Sequence, residues 1–413
     1  MKTNALIKGV SKGILAILMT TAISQNSQAA SPTFGSDVDF LKKYVQVIVL
    51  SDASGKSKVS VVPAWQGRVM TSTANGDKGL SYGWVNRELI ASRKFQPHIN
   101  VFGGEDRFWL GPEGGQFSIF FSKGSKFDLE HWFTPAPIDT EPYDVVRFDS
   151  SSVLCKKQFS LTNYSGTTFN LEVQREVRLS NPELLLRKFG VEPFKGMLAT
   201  GFESINTVKN TGANPWVKDT GLLSIWILGM FNASEKATVV IPLADSAKQD
   251  PWKAINDRYF GKVPADRLVI KNNVVFFKAD AKYRSKIGIK PEYSKPVLGS
   301  YDAQNKVLTI VHFTLPEGAK EYVNSMWELQ DNPYAGDAVN SYNDGPQSPG
   351  GSQLGKFYEL ESSSPALALK PGESATHVHQ TVHIQGSEKQ LDPIARAIFG
   401  ASIEEIKNAF KKK

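Results

Sequence analysis

The stretch that decides the fold is Phe357 to Gly386, FYELESSSPALALKPGESATHVHQTVHIQG. It begins with an alternating segment that carries two acidic residues, Glu359 and Glu361. A turn at Pro371-Gly372 follows, and a second alternating segment with three histidines ends the stretch. Two alternating segments separated by turn residues are typical of antiparallel strands.

That pattern recurs along most of the sequence. Many segments are rich in Val, Ile, Phe and Tyr and are bounded by Gly, Pro, Asn and Asp, which predicts strands. Many strands with short turns and few helices predict an all-β fold, a large antiparallel sandwich. The predicted strands are Tyr44–Leu50, Lys58–Val62, Gln116–Phe121, Phe169–Leu179, Leu222–Phe231, Thr238–Leu243, Asn273–Lys278, Lys306–Thr314 and His377–Ile384.

Helix signals are few and lie near the two ends of the chain. Ser36–Lys43 is a predicted short helix with Ser36 or Asp37 as its cap. Near the C-terminus, Asp392 precedes a proline that suits the first position of a helix. Ser402 and Glu405 have the spacing of a capping box. We therefore expect a sandwich over residues 30–391 and a helical tail over residues 392–413.

Residues 1–29 are predicted to be a signal peptide rather than part of the fold. A basic start is followed by the apolar segment Gly13–Ile23, which is too short to cross a bilayer as a helix. Small residues, Ser27 and Ala29, precede the expected cleavage point. No cysteine lies there, which argues against a lipoprotein, and no later apolar run predicts a membrane span. We expect a soluble protein exported to the periplasm or secreted.

Composition argues against several functional classes. The formal charge is +7, and three of those charges belong to lysines of the predicted signal peptide. The remaining charges are interspersed, so a nucleic-acid partner is not expected. Cys155 is the only cysteine, which excludes an intrachain disulfide. The sequence has no Gly-x-Ser-x-Gly elbow, phosphate loop or dinucleotide fingerprint, so no cofactor is predicted.

One glycine-rich segment, His98–Gly115, concentrates residues suited to sugar recognition. A pyranose presents C–H faces to aromatic rings and hydroxyl groups to planar polar side chains. The candidate binding residues in this segment are Glu105, Asp106, Arg107 and Trp109. The alternative is a glycine-rich β-arch with paired carboxylates and a core tryptophan.

A second segment, Gln330–Leu354, lacks periodicity and is predicted to be a long loop, a feature that is often functional. On and beside it, Trp327, Asn343 and Asp344 repeat the chemistry of the first segment. Some of these residues could instead serve turns. Together the two segments favour a carbohydrate ligand.

Three histidines of the last predicted strand, His377, His379 and His383, share one face because they are separated by even numbers of residues. We interpret that face as the polar, solvent-facing side of the strand. In the alternative, His377 and His379 would bind a metal together with a carboxylate such as Glu361. No metal site is predicted.

The sequence also resembles the aldose 1-epimerases. Leu360-Glu361-Ser362, the segment Leu369–Glu373 and the closing strand are similar to the C-terminal signature of that family. Val101–Gly104 is similar to its early His-Gly-Gly element, and Val208–Pro215 has a counterpart hairpin. The resemblance spans about Val45 to Gly386 and implies a galactose mutarotase-like β-supersandwich.

The resemblance also implies roles for individual residues. In that family a glutamate near the C-terminus accepts the proton of the anomeric hydroxyl, and a histidine protonates the ring oxygen. Glu361 stands at the glutamate position, and Glu359, on the same face of the strand, is the alternative if the register is shifted by two residues. Trp226 stands near the expected histidine, so the acid would come from His98 or His131.

The sequence therefore predicts an exported carbohydrate-binding protein and leaves open whether it acts on the sugar by acid/base chemistry; if it is an enzyme, an aldose 1-epimerase-like isomerase is expected. Two alternatives stay open. One is a polysaccharide hydrolase or lyase with paired carboxylates. The other is a non-catalytic binding or structural module.

Overall fold

Residues 31–346 and 350–411 are described by a computed structural model of the protein. The predicted signal peptide, residues 1–29, lies outside these ranges. Within them, no helix combines the length and the apolar character that a membrane crossing requires.

Strands are the main regular secondary structure of residues 31–346 and 350–411. In chain order the first ten are β1 Ile48–Ser51, β2 Lys58–Val62, β3 Arg68–Thr73, β4 Arg107–Gly111, β5 Asp144–Phe148, β6 Ser152–Thr162, β7 Thr168–Leu179, β8 Leu198–Asn210, β9 Ser224–Asn232 and β10 Ala237–Pro242. The others are β11 Ile255–Asn256, β12 Leu268–Lys271, β13 Val274–Lys278, β14 Ser285–Ile289, β15 Val297–Asp302, β16 Val307–Phe313, β17 Val339–Asn343, β18 Phe357–Ser363 and β19 Ser374–Gln385.

These strands form three antiparallel sheets. One has ten strands in the order β12-β13-β10-β15-β16-β19-β8-β7-β6-β5, and a second has six in the order β11-β14-β17-β18-β9-β4. The third is the meander β1-β2-β3. The all-β sandwich expected from the sequence is confirmed.

The core lies between the ten-stranded and six-stranded sheets. Leu360 of β18 packs in one apolar cluster with Leu298 and Val311 of the ten-stranded sheet. Phe108 of β4 lies in another, together with Val173 of β7. The six-stranded sheet therefore turns one face to the core and leaves its second face for other contacts.

The structure has five α-helices in its described ranges, besides short 3-10 turns: α1 Phe34–Leu41, α2 Arg87–Ser92, α3 Pro182–Lys188, α4 Glu388–Phe399 and α5 Ile403–Lys407. The predicted capping box of Ser402 and Glu405 is confirmed at α5. Two predicted caps are wrong. Thr33 caps α1 in place of Ser36 or Asp37, and Ser387 caps α4, which places Pro393 inside the helix.

One predicted strand and one predicted loop also need correction. Residues 116–121 form no strand, and only an isolated bridge joins Phe121 to Trp132. The segment predicted as a loop over Gln330–Leu354 contains β17, which pairs with β14 on one side and β18 on the other. Three of the five residues of β17, Asn340, Ser341 and Asn343, are polar, so the apolar alternation that identifies strands is missing.

The interpretation of the histidine-bearing face of β19 as solvent-facing is wrong. His377, His379 and His383 are all buried and point between the two large sheets. Ser362 of β18 contacts His377 Nε2 and His379 Nδ1, each at 2.8 Å. The opposite face of β19 is covered as well, because Val382 and Ile384 pack against the C-terminal helices.

Candidate functional site

The candidate site lies on the face of the six-stranded sheet that points away from the core. Alternation along β18 sends Leu360 and Ser362 toward the ten-stranded sheet and Glu359 and Glu361 to the opposite side. Neighbouring strands then bring further polar side chains to the two glutamates. We call this group, with the residues described below, the Glu361 cluster.

Glu361 is fully buried and makes two charged or polar contacts through one oxygen. Its Oε2 accepts hydrogen bonds from Trp226 Nε1 at 2.9 Å and from Lys286 Nζ at 3.2 Å. The ammonium group of Lys286 also lies 4.6 Å from the ring centre of Trp226 and 5.4 Å from that of Tyr259. A cation over aromatic faces beside a carboxylate is well stabilised in a dry environment. Glu361 is therefore held in one position beside a fixed positive charge.

Glu359 has its own cation. Arg107 Nη2 donates to Glu359 Oε1 at 3.0 Å, and both side chains are buried. The guanidinium group of Arg107 stacks on Trp109, with 4.2 Å between its central carbon and the ring centre. Arg107, Trp109, Glu359 and Glu361 thus occupy one face, although they come from distant parts of the sequence.

Burial shifts the protonation of the carboxyl groups in this cluster. Burial, reinforced by the charge of Glu361, raises the pKa of Glu359 to about 8, against the opposing effect of Arg107. The pKa of Glu113 is raised by burial too, with Glu361 adding to the effect and Lys286 opposing it. Burial alone would lower the pKa of Lys286, but the surrounding carboxylates outweigh it and the pKa is raised. The cluster therefore holds a permanent cation and at least one carboxyl that resists ionisation.

A second group of polar residues adjoins the first beyond Lys286. Tyr259 donates its hydroxyl proton to Asp337 Oδ2 at 2.6 Å, and Asn340 Nδ2 lies 3.2 Å from the same tyrosine oxygen. Burial raises the pKa of Asp337 to about 6, against these hydrogen bonds. Position 288 must be glycine here, because a Cβ on Gly288 would lie 1.9 Å from Asp337 Oδ2.

A cavity of about 10 Å³ lies between the two groups. Its walls include Trp226, Lys286 and Asp337, and the covering segment 323–337 contributes Val323 and Ser325. That volume is enough for about one water molecule. The face is therefore closed over Glu361 by the covering segment.

Several buried polar atoms around Glu361 have no hydrogen-bond partner among the described residues. They belong to Arg107 (Nε and Nη1), Trp109 (Nε1), Ser224 (Oγ) and Glu361 (Oε1). Each unpaired buried group is costly, so native proteins keep few of them without a reason. A group of such donors and acceptors at one place is typical of a site that binds a polar ligand.

Tryptophans form a wall beside these polar atoms. Trp109 contacts Trp226 edge-on, with ring centres 5.5 Å apart. Trp132 stacks on Trp327 at 5.7 Å. Trp327 also donates a hydrogen bond to Glu113. The predicted binding residue Trp327 therefore lies at the edge of the Glu361 cluster.

Two of the predicted binding residues lie on the other side of the sheet system. Glu105 is buried beside His383, at 2.8 Å, and also accepts hydrogen bonds from Ser72. Asp106 is paired with Arg175 at 2.5 Å. Both carboxylates are thus bonded inside the core, where they hold the layers together. They are not neighbours of Glu361.

Asn343 and Asp344 also make contacts within the fold. Asn343 Oδ1 accepts from the backbone of Ala281, and its Nδ2 donates to Tyr283 O. Asp344 accepts from the hydroxyl of Tyr342 and from the backbone N–H of Gly355. Their polar atoms therefore tie neighbouring loops to the end of β17.

The two histidines considered as acids lie elsewhere. His98 Nδ1 is 2.7 Å from Trp132 O, and His98 lines a groove of about 450 Å³ with Glu88, Leu89 and Gln353. His131 is paired with Asp128 at 2.6 Å. No contact in the described ranges joins either histidine to Glu361.

Sequence reasoning missed Lys286, Tyr259 and Ser224 as members of this site. Lys286 lies on β14, where it alternates with the buried residues Ser285 and Ile287. A lysine within a short buried strand could have identified Lys286 as a site residue, because lysine is rarely buried without a partner. Tyr259 lies outside any strand and gave no comparable signal.

Solved structures share the fold defined by this arrangement of sheets. A candidate aldose 1-epimerase from Escherichia coli K12 matches with a TM-score of 0.50 and 13% identity, over 82% of this chain and 98% of the other. A protein of Synechocystis sp. PCC 6803 matches with a TM-score of 0.50 and 12% identity, over 83% and 96%. A galactose mutarotase-like protein from Lactobacillus casei ATCC 334 matches with a TM-score of 0.46 and 12% identity, over 82% and 100%. The chain thus has the galactose mutarotase-like β-sandwich fold.

Residues 32–410 match the model of a family of unknown function, DUF6786. The chain belongs to that family. No curated protein sequence matches it.

Proposed function

We propose that the protein binds a carbohydrate at the Glu361 cluster and acts on its anomeric centre, with Glu361 as the base. The observation that carries this proposal is the group of unpaired buried polar atoms on Arg107, Trp109 and Glu361. Sugar hydroxyls can both donate and accept, so they would satisfy these atoms, while the indole rings suit C–H faces. The names of the E. coli and L. casei neighbours agree with a sugar ligand.

The environment of Glu361 suits a base. Lys286 and the indole N–H of Trp226 both donate to one of its oxygens, and its second oxygen accepts no hydrogen bond from the described residues. That oxygen could accept the proton of an anomeric hydroxyl. Loss of this proton promotes cleavage of the bond between C1 and the ring oxygen, which opens the sugar and allows the anomers to interconvert.

Access to the site requires movement of its cover. Glu361 is fully buried, and Val323 and Ser325 of the segment 323–337 line the cavity next to it. A pyranose is far larger than one water molecule, so segment 323–337 must shift when a sugar binds. Such closure over a substrate is common in enzymes, because it excludes water from the reaction.

A second candidate is a binding module without catalysis. The complete burial and ion pairing of Glu361 favour it, because a carboxylate fixed in a closed core can serve stability alone. The two candidates differ in the effect of a substitution at Glu361. Catalysis needs its carboxylate, whereas binding can survive with an amide of the same shape.

The test combines calorimetric binding of galactose and glucose with polarimetry of their freshly dissolved anomers. Wild type, Glu361→Gln and the surface control Glu183→Gln are compared. We expect wild type and the control to bind sugar and accelerate the change in rotation, while Glu361→Gln binds but loses at least about 100-fold in rate. Binding by all three without acceleration would support the binding module. Absence of binding and acceleration by the wild type would contradict both candidates for these sugars.

We also propose that the protein is exported, on the basis of residues 1–29. Cleavage after Ala29 would leave a chain beginning at Ala30. Mass spectrometry of the N-terminus after cell fractionation tests this. Recovery of the intact 413-residue chain in the cytoplasm would contradict it.

A further inference from the structure

We propose that Glu359 and Glu361 share one proton and form the acid–base pair of the site, with Glu359 as the acid. This inference rests on the proposed function for its catalytic part, whereas proton sharing can be tested without a substrate. It assigns the acid to a neighbour of the base on β18 rather than to a histidine.

The first support is the position of the two carboxyl groups. Glu359 and Glu361 are two residues apart on one strand, so their side chains leave the same face. Arg107 holds one and Lys286 the other. The two carboxyl groups therefore lie on one buried face, each beside its own cation, where a hydrogen bond between them would require a proton on one of them.

The second support is the unpaired oxygen of Glu361. Its Oε2 accepts from Trp226 and Lys286, while its Oε1 is buried and receives no N–H or hydroxyl donor from the described side chains. A protonated Glu359, on the same face of β18, would supply such a donor. Two ionised carboxylates side by side on one buried face would repel each other.

The third support is the balance of charge. The groups that act on Glu359 include the cations Arg107 from β4 and Lys286 from β14. The acidic groups are Glu361 on the same strand, Glu113 from the loop after β4 and the hydroxyl of Tyr342 on β17. Arg284 is a further cation that acts on Glu113, and the burial of these carboxyl groups favours retention of one proton. The raised pKa of Glu359 agrees with this balance.

The pair supplies both proton transfers of ring opening. Glu361 accepts the proton from the anomeric hydroxyl, and the electron pair of that O–H bond becomes the second bond between C1 and O1. The bond between C1 and the ring oxygen breaks, and the ring oxygen takes the proton of Glu359. After rotation about C1–C2 the reverse transfers close the ring on the other face of C1. Both glutamates regain their starting states, so no oxidant, metal or further reactant is needed.

Proton sharing is tested by infrared spectroscopy of the unliganded protein at neutral pH. We expect a protonated-carboxyl band that is lost in Glu359→Gln. Glu361→Gln should lose it as well, because Glu359 then ionises beside Arg107. The control Glu183→Gln should keep the band, and in wild type it should disappear as the pH rises through about 8. A spectrum unchanged by both substitutions would overturn the proposal. If Glu359→Gln fails to fold, Glu361→Gln and the wild-type titration decide the question.

The catalytic assignment is tested by polarimetry with galactose. We expect Glu359→Gln to bind the sugar with wild-type affinity and to lose at least about 100-fold in rate. The wild-type rate should fall as the pH rises through about 8, since the acid is then ionised. An active Glu359→Gln with an unchanged pH profile would overturn the assignment while leaving the proposed function intact. An inactive wild type with the expected infrared band would refute the proposed function and the catalytic assignment for this sugar but leave the shared proton established.

Discussion

At the scale of single residues, Lys286 is the most demanding side chain of the Glu361 cluster. An ammonium group loses its hydration when it is buried, and only close carboxylates compensate for that loss. Lys286 has Glu361 at 3.2 Å and the ring of Trp226 at 4.6 Å. Lys286 therefore stabilises the fold only while Glu361 is present to pair with it.

We predict that Lys286→Met lowers the free energy of unfolding by about 3–5 kcal/mol, because Glu361 is left as an unpaired buried charge. Urea denaturation measures this change. The double substitution Lys286→Met with Glu361→Gln should restore most of the loss. Lys248→Met is the control, since its ion pair with Asp245 is exposed and should contribute less than about 1 kcal/mol. Equal effects of the two lysine substitutions would contradict the prediction.

Sequence could suggest some of these residues but not their contacts. The resemblance pointed to Glu361, and Arg107 and Trp109 were chosen for their chemistry; the structure brings all three to one face. Glu105 and Asp106 had equal chemical appeal, yet they lie in the core. Asp106 and Arg107 diverge because successive residues of an extended chain point in opposite directions. Glu105 has the parity of Arg107 but precedes β4, and Ser72 and His383 hold it in the core.

At the scale of secondary-structure elements, the C-terminal helices depend on short-range caps. Ser402 Oγ accepts from the backbone N–H of Glu405 at 3.0 Å, and Glu405 Oε2 accepts from the backbone N–H of Ser402 at 2.8 Å. Helix α5 is only five residues long, so it has little stability of its own. The cap and the packing of Ile403 and Ile406 must hold it.

We predict that Ser402→Ala lowers the free energy of unfolding by about 1 kcal/mol, because the N–H of Glu405 loses its acceptor. Thermal denaturation followed by circular dichroism measures this effect. Glu405→Gln should change stability much less, since glutamine can complete the same capping box. A larger loss of stability in Glu405→Gln than in Ser402→Ala would show that the charge of Glu405, rather than the hydrogen bond of the Ser402 cap, stabilises the start of α5.

The Ser402 cap was predictable because all its parts lie within four residues. The start of α4 was not, because Asp392 has a different role. Its carboxylate accepts from Arg396 Nε at 2.7 Å and from the backbone N–H of Ile403 at 2.8 Å. Asp392 thus links α4 to the first residue of α5, a tertiary contact that a local signal cannot distinguish from a cap.

At the scale of the whole molecule, the buried histidines make stability depend on pH. Burial lowers the pKa of His377 to about 3 and that of His379 to about 4, from an ordinary value of 6.5. Between pH 6.5 and about 4, His377 and His379 are protonated in the unfolded chain but stay neutral in the folded chain. Stability from these two groups is therefore present above pH 6.5 and is lost as the pH falls.

We predict that the free energy of unfolding decreases on acidification below pH 6.5, by up to about 1.4 kcal/mol per pH unit for each of the two histidines. Urea denaturation at a series of pH values measures the slope. His379→Asn should reduce it, whereas His131→Asn, at the surface beside Asp128, should leave it nearly unchanged. A wild-type slope that His379→Asn does not alter would contradict the assignment.

The sandwich was predictable because alternation and turn residues recur along the whole chain. The layering was harder to predict. Parity placed His377, His379 and His383 on one face, but it could not show that both faces of β19 are covered. The ten-stranded sheet has the six-stranded sheet on one side and the C-terminal helices on the other, which are contacts between parts distant in sequence.

Adjacent residues at the start of β4 are anchored in opposite layers. Asp106 is bonded to Arg175 of the ten-stranded sheet, whereas Arg107 is bonded to Glu359 of the six-stranded sheet. Adding or removing a single amino acid at this point would turn Asp106 toward Glu359 and Arg107 toward Arg175, so that like charges would face each other. This short stretch therefore cannot change its length, and any natural variation in the size of the protein must be accommodated elsewhere.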